Sequence, residues 1–149
     1  ARPLNADEAA EMTKFFGKEI CATVRTASVY EIPNPPFRDL LIGRGLSVED
    51  FRGLSGLTLG TCILLSESRP HPFPLALLFH ECVHVVQYAM LGLDEFIKSY
   101  VNGWVANEFD YYRIPHEVMA YDLERRYAQN PDQAFDVRRC VQTNINSLL

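Results

Sequence analysis

The fold is decided by the stretch Phe73-Pro74-Leu75-Ala76-Leu77-Leu78-Phe79-His80-Glu81-Cys82-Val83-His84-Val85-Val86-Gln87-Tyr88-Ala89-Met90-Leu91. It is apolar almost all round, a pattern that predicts a buried helix rather than a surface one. Prolines at its start and a glycine directly after it suit the two ends of a helix. Its main polar residues form one stripe: His80, Glu81, His84 and Gln87. Burying imidazole and carboxylate groups in a core costs free energy unless they are hydrogen-bonded, paired or bound to a metal ion. A metal ion bound by this stripe would remove that cost.

The pentapeptide His80-Glu81-Cys82-Val83-His84 is an H-E-x-x-H motif. Residues four apart in an α-helix lie on one face, so His80 and His84 can both reach one metal ion. Glu81 lies beside them, where it can act as general base on a water activated by zinc. The alternative is a surface helix with accidental histidines, which the apolar flanks disfavour.

A catalytic zinc ion commonly takes three protein ligands and keeps a fourth position for water. The metzincin extension of the motif is absent, because Gln87 and Met90 stand where glycine and histidine would be required. The predicted third ligand is Glu117, in the first turn of a later helix, where the small Ala120 one turn on allows another helix to approach. Two alternatives stay open: His116 as the ligand, or Glu117 as an acid favoured only by the helix dipole.

Two segments together resemble a known family. Ala76-Leu77-Leu78-Phe79-His80-Glu81-Cys82-Val83-His84-Val85-Val86-Gln87-Tyr88 is similar to the metal helix of small bacterial zincin-like metallopeptidases of the gluzincin type. In that family a later Pro-x-Glu-x-x-Ala-Tyr segment supplies a glutamate ligand, and this chain has Pro115-His116-Glu117-Val118-Met119-Ala120-Tyr121. The resemblance covers residues 57–127. It implies a zincin-like fold and a zinc ion held by Glu117 and the two motif histidines.

The motif also predicts a mechanism of peptide hydrolysis. Glu81 would take a proton from the zinc-activated water as it attacks a peptide carbonyl, and would pass that proton to the leaving amine. A peptide or protein substrate is expected to lie extended along the edge of a strand at Leu57–Leu65. Gln87 could add a hydrogen bond that orients a ligand. The donor that stabilises the oxyanion stays open among Tyr111, Tyr112, Arg113, His116 and Tyr121.

Length and composition predict one domain over residues 1–149, with 48% apolar and 22% charged residues. The net charge is −5 and the arginines are scattered, so the sequence has no basic patch that would indicate nucleic-acid binding. We expect no membrane span, because histidine and glutamate interrupt the longest apolar run, Phe73–Leu93. The chain starts at Ala1 and shows no signal peptide. A secreted or periplasmic location after processing, a cytoplasmic location and any oligomeric state all stay open.

The four cysteines are isolated and form no C-x-x-C pair, so they do not predict a structural zinc site. Cys82, inside the motif, is predicted to be a small buried apolar residue. An even number of cysteines permits disulfides without showing them. Their status stays open for Cys21, Cys62, Cys82 and Cys140.

The remaining pattern predicts a small α+β domain, in which a short sheet packs on the metal helix and several further helices. A proline-rich surface segment is expected to be extended, and one short helical turn to follow it. Helices are predicted at residues 5–17, 94–105, 115–128 and 132–148, strands at Ile20–Val24 and Leu57–Leu65, the extended segment at 29–38 and the helical turn at 47–51.

Two other classes of function stay open. A non-catalytic zinc-binding domain would have its fourth position closed, by His116 or Cys82, and would have no need of Glu81. A protein-interaction domain with a chance motif would bind no metal, and its folding would not respond to a chelator.

Overall fold

A computed structural model describes all 149 residues of the chain. It contains six α-helices and four short strands. The helices are α1 (Ala6–Thr23), α2 (Arg38–Gly43), α3 (Pro74–Leu91), α4 (Leu93–Ala106), α5 (Pro115–Gln129) and α6 (Val137–Thr143). The strands are β1 (Arg2–Pro3), β2 (Arg25–Val29), β3 (Gly56–Leu59) and β4 (Cys62–Ser66). Short 3₁₀ turns lie at Phe51–Gly53, Tyr111–Arg113 and Ile145–Leu148. The predicted α+β class is confirmed.

The four strands form one small mixed sheet in the order β1-β2-β4-β3. The outer pairs are antiparallel, whereas β2 and β4 are parallel. In the β3–β4 hairpin Thr58 lies opposite Ile63, and Gly60 in the turn has a φ of +64°, which favours glycine. Strand β3 is therefore an edge strand, and its residues Gly56 and Thr58 are buried against α3.

Helix α3 is the centre of the fold, and every residue from Leu78 to Tyr88 is buried. The main core has 16 buried residues, of which six belong to α3 itself and most of the others come from α1, α5 and α6. Phe79 of α3 stacks on Tyr127 with ring centroids 4.6 Å apart and meets the edge of Phe15 at 5.5 Å. Burial of each such side chain contributes roughly 1.5–3 kcal/mol, so packing holds α3 firmly in place.

The same helix, α3, is also the one helix long and apolar enough to cross a membrane by length and composition alone. In this fold 61% of that 18-residue window is buried inside the domain. Its apolar surface is thus covered by the protein itself, as in the core helix of many globular domains.

A second, smaller apolar cluster lies on the other side of β3 and joins the proline-rich segment to α4 and the start of α5. The rings of Phe37 and Phe51 lie 6.0 and 5.8 Å from that of Trp104. The cluster thereby holds the proline-rich segment opposite α4, with a cavity between the two. Its six buried residues are Ile32, Val48, Leu54, Trp104, Tyr111 and Ile114.

The strand predicted at Ile20–Val24 is wrong. Helix α1 is interrupted at Gly17, whose φ of +79° is not helical, and a second helical stretch then runs to Thr23. Cys21 and Val24 turn into the core there. A short apolar run of this kind does not separate helix from strand by its pattern alone.

Three other predicted boundaries change. The single strand predicted at Leu57–Leu65 is the β3–β4 hairpin, because Gly60 turns the chain. The helix predicted at 132–148 is shorter and spans Val137–Thr143. It begins directly after Asp136, whose side chain caps it by accepting a hydrogen bond from the Arg139 amide. The helical turn predicted at 47–51 lies at Phe51–Gly53 instead.

Candidate metal centre

Two imidazoles and one carboxylate meet in the core between α3 and α5. Nε2 of His80 lies 3.0 Å from Oε1 of Glu117, and Nε2 of His84 lies 3.1 Å from the same oxygen. The two Nε2 atoms are 3.2 Å apart. The spacing of four in α3 puts both rings on one face of that helix. The small, fully buried Ala120 of α5 lets α5 approach α3 closely. We call these three side chains the His-His-Glu cluster.

The cluster has the size and the donor atoms of a zinc site. Ligands at about 2.0–2.1 Å from a tetrahedral ion stand roughly 3.3–3.4 Å apart, close to the sides of the observed triangle. Two imidazole nitrogens and one carboxylate oxygen also form a donor set that catalytic zinc uses when it keeps a position for water. All three side chains are at most 5% exposed. The residues present therefore fit a divalent metal ion.

A hydrogen bond donated to Gln87 orients the ring of His84. Nδ1 of His84 lies 2.8 Å from Oε1 of Gln87, and the Gln87 amide donates to the backbone carbonyl of His116 at 3.1 Å. With its amide committed as a donor, Gln87 presents its oxygen to the ring, so Nδ1 carries the proton. Nε2 of His84 is then left to face the cluster, as in many metal-binding histidines.

The ring of His80 is held by α5. Its Nδ1 lies 3.0 Å from Oε1 of Glu124, an electrostatic contact rather than an aligned hydrogen bond. The ring of Tyr121 covers it with centroids 4.4 Å apart. Sequence reasoning missed Glu124, although its spacing of seven from Glu117 places both carboxylates on one face of α5.

Tyr100 of α4 contacts the carboxylate of Glu117 from the side away from the histidines. Its hydroxyl donates to Oε2 of Glu117 at 2.8 Å, so Oε1 alone faces the cluster. Tyr100 also was missed, because it belongs to an apolar stripe with the buried Phe96 and Trp104 at a spacing of four, in which it is itself half-buried. Aromatic residues in such a stripe are usually packing residues.

Glu81 lies outside the cluster and is held against β3. The hydroxyl of Thr58 donates to Oε2 of Glu81 at 2.7 Å. Gly56 provides the space, since a Cβ there would lie only 2.8 Å from Oε1 of Glu81. Neither residue of β3 was predicted to have a role, because both contacts join parts of the chain more than 20 residues apart.

Gly56→Ala should therefore displace the carboxylate of Glu81 without disturbing the His-His-Glu cluster. The hydrolysis that the motif predicts should then fall about tenfold or more, since a misplacement of about 1 Å is enough for such losses, and the metal content should stay the same. Steady-state kinetics and elemental analysis would measure the two effects. The matched control is Gly53→Ala, where an added Cβ meets nothing within 4 Å. Equal losses in both variants would contradict the role of Gly56.

Opposite charges stabilise one another in the cluster. Burial lowers the pKa of His80, but the hydrogen bond with Glu117 and the contact with Glu124 outweigh it and raise that pKa to about 10. Burial also opposes the charge on His84, yet the carboxylate of Glu117 raises its pKa. Burial would raise the pKa of Glu117, but the two imidazoles hold it well below its usual range. Burial is the main reason that the pKa of Glu81 is raised.

The raised pKa values of His80 and His84 predict a pH-dependent zinc affinity. Protons on these rings must leave before a metal binds. Affinity should therefore rise with pH and fall about tenfold per pH unit for each proton displaced as the solution is acidified. Competition with a chromogenic chelator between about pH 6 and 9 would measure it. An affinity that does not change over this range would contradict the prediction.

His116, the rival third ligand, lies away from the cluster. Its Nε2 is 2.9 Å from the hydroxyl of Ser99, and its ring meets that of Phe96 with centroids 5.0 Å apart. Burial and the charge on His84 lower the pKa of His116 to about 4. Cys82 packs in the apolar core, as predicted, and all four cysteines are free thiols.

The remaining candidates for an oxyanion donor lie in different surroundings. Tyr111 is buried and lines the cavity beside Glu81. Tyr112 and Arg113 are exposed, and Tyr121 packs on the ring of His80. Of these, Tyr111 is thus the one that shares the cavity with the cluster.

A cavity of about 420 Å³ opens beside the cluster and is lined by Glu81, His84 and Glu117 among others. It lies between α4 on one side and the proline-rich segment on the other, with β3 along its length. The two parts that the predicted chemistry requires, a metal-binding cluster and a separate carboxylate, therefore face one common space.

Comparisons with known proteins find no match: no family model, no curated protein and no solved structure matches this chain.

Proposed function

We propose that this protein is a zinc-dependent peptidase, in which His80, His84 and Glu117 hold the metal and Glu81 is the general base. The observation that carries the proposal is the position of Glu81. Its carboxylate faces the same cavity as His84 and Glu117, yet it is held apart from the cluster by Thr58. A structural zinc site has no use for a separate buried carboxylate, whereas hydrolysis requires a base beside the metal.

Zinc, when bound, supplies a Lewis acid and lowers the pKa of a bound water towards neutrality. Glu81 takes the proton from the attacking water and gives it to the leaving amine. Its raised pKa makes it a stronger base than an exposed glutamate. The hydroxyl of Thr58 fixes one carboxylate oxygen, which leaves the other free to accept the proton.

The open edge of β3 suits an extended peptide. In the β3–β4 ladder the amide of Ser66 donates to the carbonyl of Ser55 at 2.8 Å. Because antiparallel pairs alternate, Gly56 and Thr58 turn their backbone groups away from β4, towards the open edge. The hydroxyl of Tyr88 already donates to the Thr58 carbonyl at 3.4 Å, so a peptide would pair with the other backbone groups of this edge. A peptide added along this edge would pass directly beside Glu81.

The test uses the full chain purified without chelator. Elemental analysis should find about one zinc per chain, and the zinc-loaded protein should produce new peptide termini from a mixture of denatured proteins, detected by mass spectrometry. The chelated protein is the control and should produce none. Bound zinc without any cleavage would favour a non-catalytic zinc-binding domain, and absence of metal would contradict the proposal altogether.

A further inference from the structure

The cavity beside the cluster has a mainly apolar wall. Its volume of about 420 Å³ is within the range of roughly 300–1,000 Å³ that is usual for ligand pockets. Prolines and the ring of Phe37 form one side of it. The opposite side is one face of α4, made by Phe96, Ile97, Tyr100, Val101 and Trp104.

The charges that line the cavity belong to the candidate centre itself. Glu81, His84 and Glu117 are its only ionisable acids or histidines, and no lysine or arginine lines it. A peptidase that binds the end of a chain needs a cation for the terminal carboxylate or a spare acid for the terminal amine. Neither is present, so the cavity offers nothing to a charged terminus or to a charged side chain.

We propose that this cavity binds a large apolar side chain, such as leucine or phenylalanine, from an internal segment of an extended polypeptide. The inference rests on the proposed function and makes the protein an endopeptidase with an apolar preference beside the cleaved bond. Transfer of such a side chain out of water favours binding by roughly 10–100-fold over a small or charged one.

The rim of the cavity provides a matched pair of variants. Val101 is 37% exposed and lines the cavity, whereas Val105, one turn further along α4, is 53% exposed and does not. Arginine at either position would extend into solvent without disturbing the core. Only Val101→Arg would place a positive charge at the mouth of the cavity.

The experiment uses zinc-loaded protein and glycine-rich peptides with acetylated and amidated ends, which differ at one central position: leucine, phenylalanine, aspartate or lysine. Cleavage by the parent is measured as kcat/KM, and binding to the Glu81→Gln variant is measured by fluorescence anisotropy. We expect leucine and phenylalanine to be preferred about 10–100-fold in both. Val101→Arg should lose this preference and favour aspartate, whereas Val105→Arg should retain the parental preference.

The outcomes separate this inference from the proposed function. Selective binding of apolar peptides without cleavage by the parent would support the pocket and contradict the peptidase. Cleavage without apolar preference, or identical behaviour of the two arginine variants, would overturn the inference and leave the peptidase intact. Cleavage of the same peptides only when their ends are left unblocked would overturn the endopeptidase assignment. Neither binding nor cleavage would contradict both.

Discussion

Replacing Glu81 with glutamine is expected to slow peptide hydrolysis by roughly 10²–10⁴-fold and to leave zinc bound. Glutamine has the shape of glutamate, fits the space beside Gly56 and can still accept the hydrogen bond from Thr58. It cannot take up a proton, so the attacking water would lose its base. The measurement is kcat/KM on the best peptide found, with zinc content determined on the same sample.

The control for this variant is Glu67→Gln, which makes the same change at an exposed residue in the loop after β4 and should behave as the parent. Parental activity in Glu81→Gln would show that Glu81 is not the base. Loss of zinc from Glu81→Gln would instead make Glu81 a ligand, since a carboxylate held only by Thr58 has no other connection to the metal.

Replacing Glu117 with alanine should remove the metal. The variant loses the one oxygen that both imidazoles face, so its zinc affinity should fall by more than the roughly 10–100-fold that loss of an outer hydrogen-bond partner costs. Without metal, the charged rings of His80 and His84 would also lose the buried counter-charge that they share, at a cost of roughly 3–5 kcal/mol in the free energy of unfolding. Elemental analysis and thermal unfolding would measure the two effects.

Two further variants keep this test decisive. Glu117→Gln retains the shape of the side chain and should lose affinity even if the alanine variant folds poorly. Asp122→Asn, an exposed change in the same helix, should retain zinc and stability. Full zinc content in both Glu117 variants would move the third ligand to another acid, such as Glu124.

The centre of the fold was predictable because one helix dominates it. The apolar run from Phe73 to Leu91 is too long for a strand, and its H-E-x-x-H spacing indicates one face. The sheet was less predictable, since Ile20–Val24 has the composition of a strand. That segment is helical because a second helical stretch begins directly after the interruption at Gly17, and from there its apolar side chains reach the core.

The surroundings of the candidate centre were the hardest part to predict. Gly56 and Thr58 meet Glu81 only because the hairpin packs on α3, a contact between distant parts of the chain. Tyr100 has the residue type and the spacing of a packing residue, and nothing local distinguishes its hydroxyl. Glu124 could have been predicted, because it lies seven residues after Glu117 and therefore on the same face of one predicted helix.

The hydrogen bond from Tyr100 to Glu117 has a consequence for the choice of cation. Because one carboxylate oxygen is taken by the tyrosine, the cluster offers two nitrogens and a single oxygen. Calcium requires six to eight oxygen ligands and magnesium an octahedral oxygen shell, so these abundant hard ions find little to coordinate. Ions that accept imidazole, such as zinc, copper, nickel and iron, are favoured. In the proposed zinc site, one phenolic hydroxyl would thus contribute to metal selectivity without itself touching the ion.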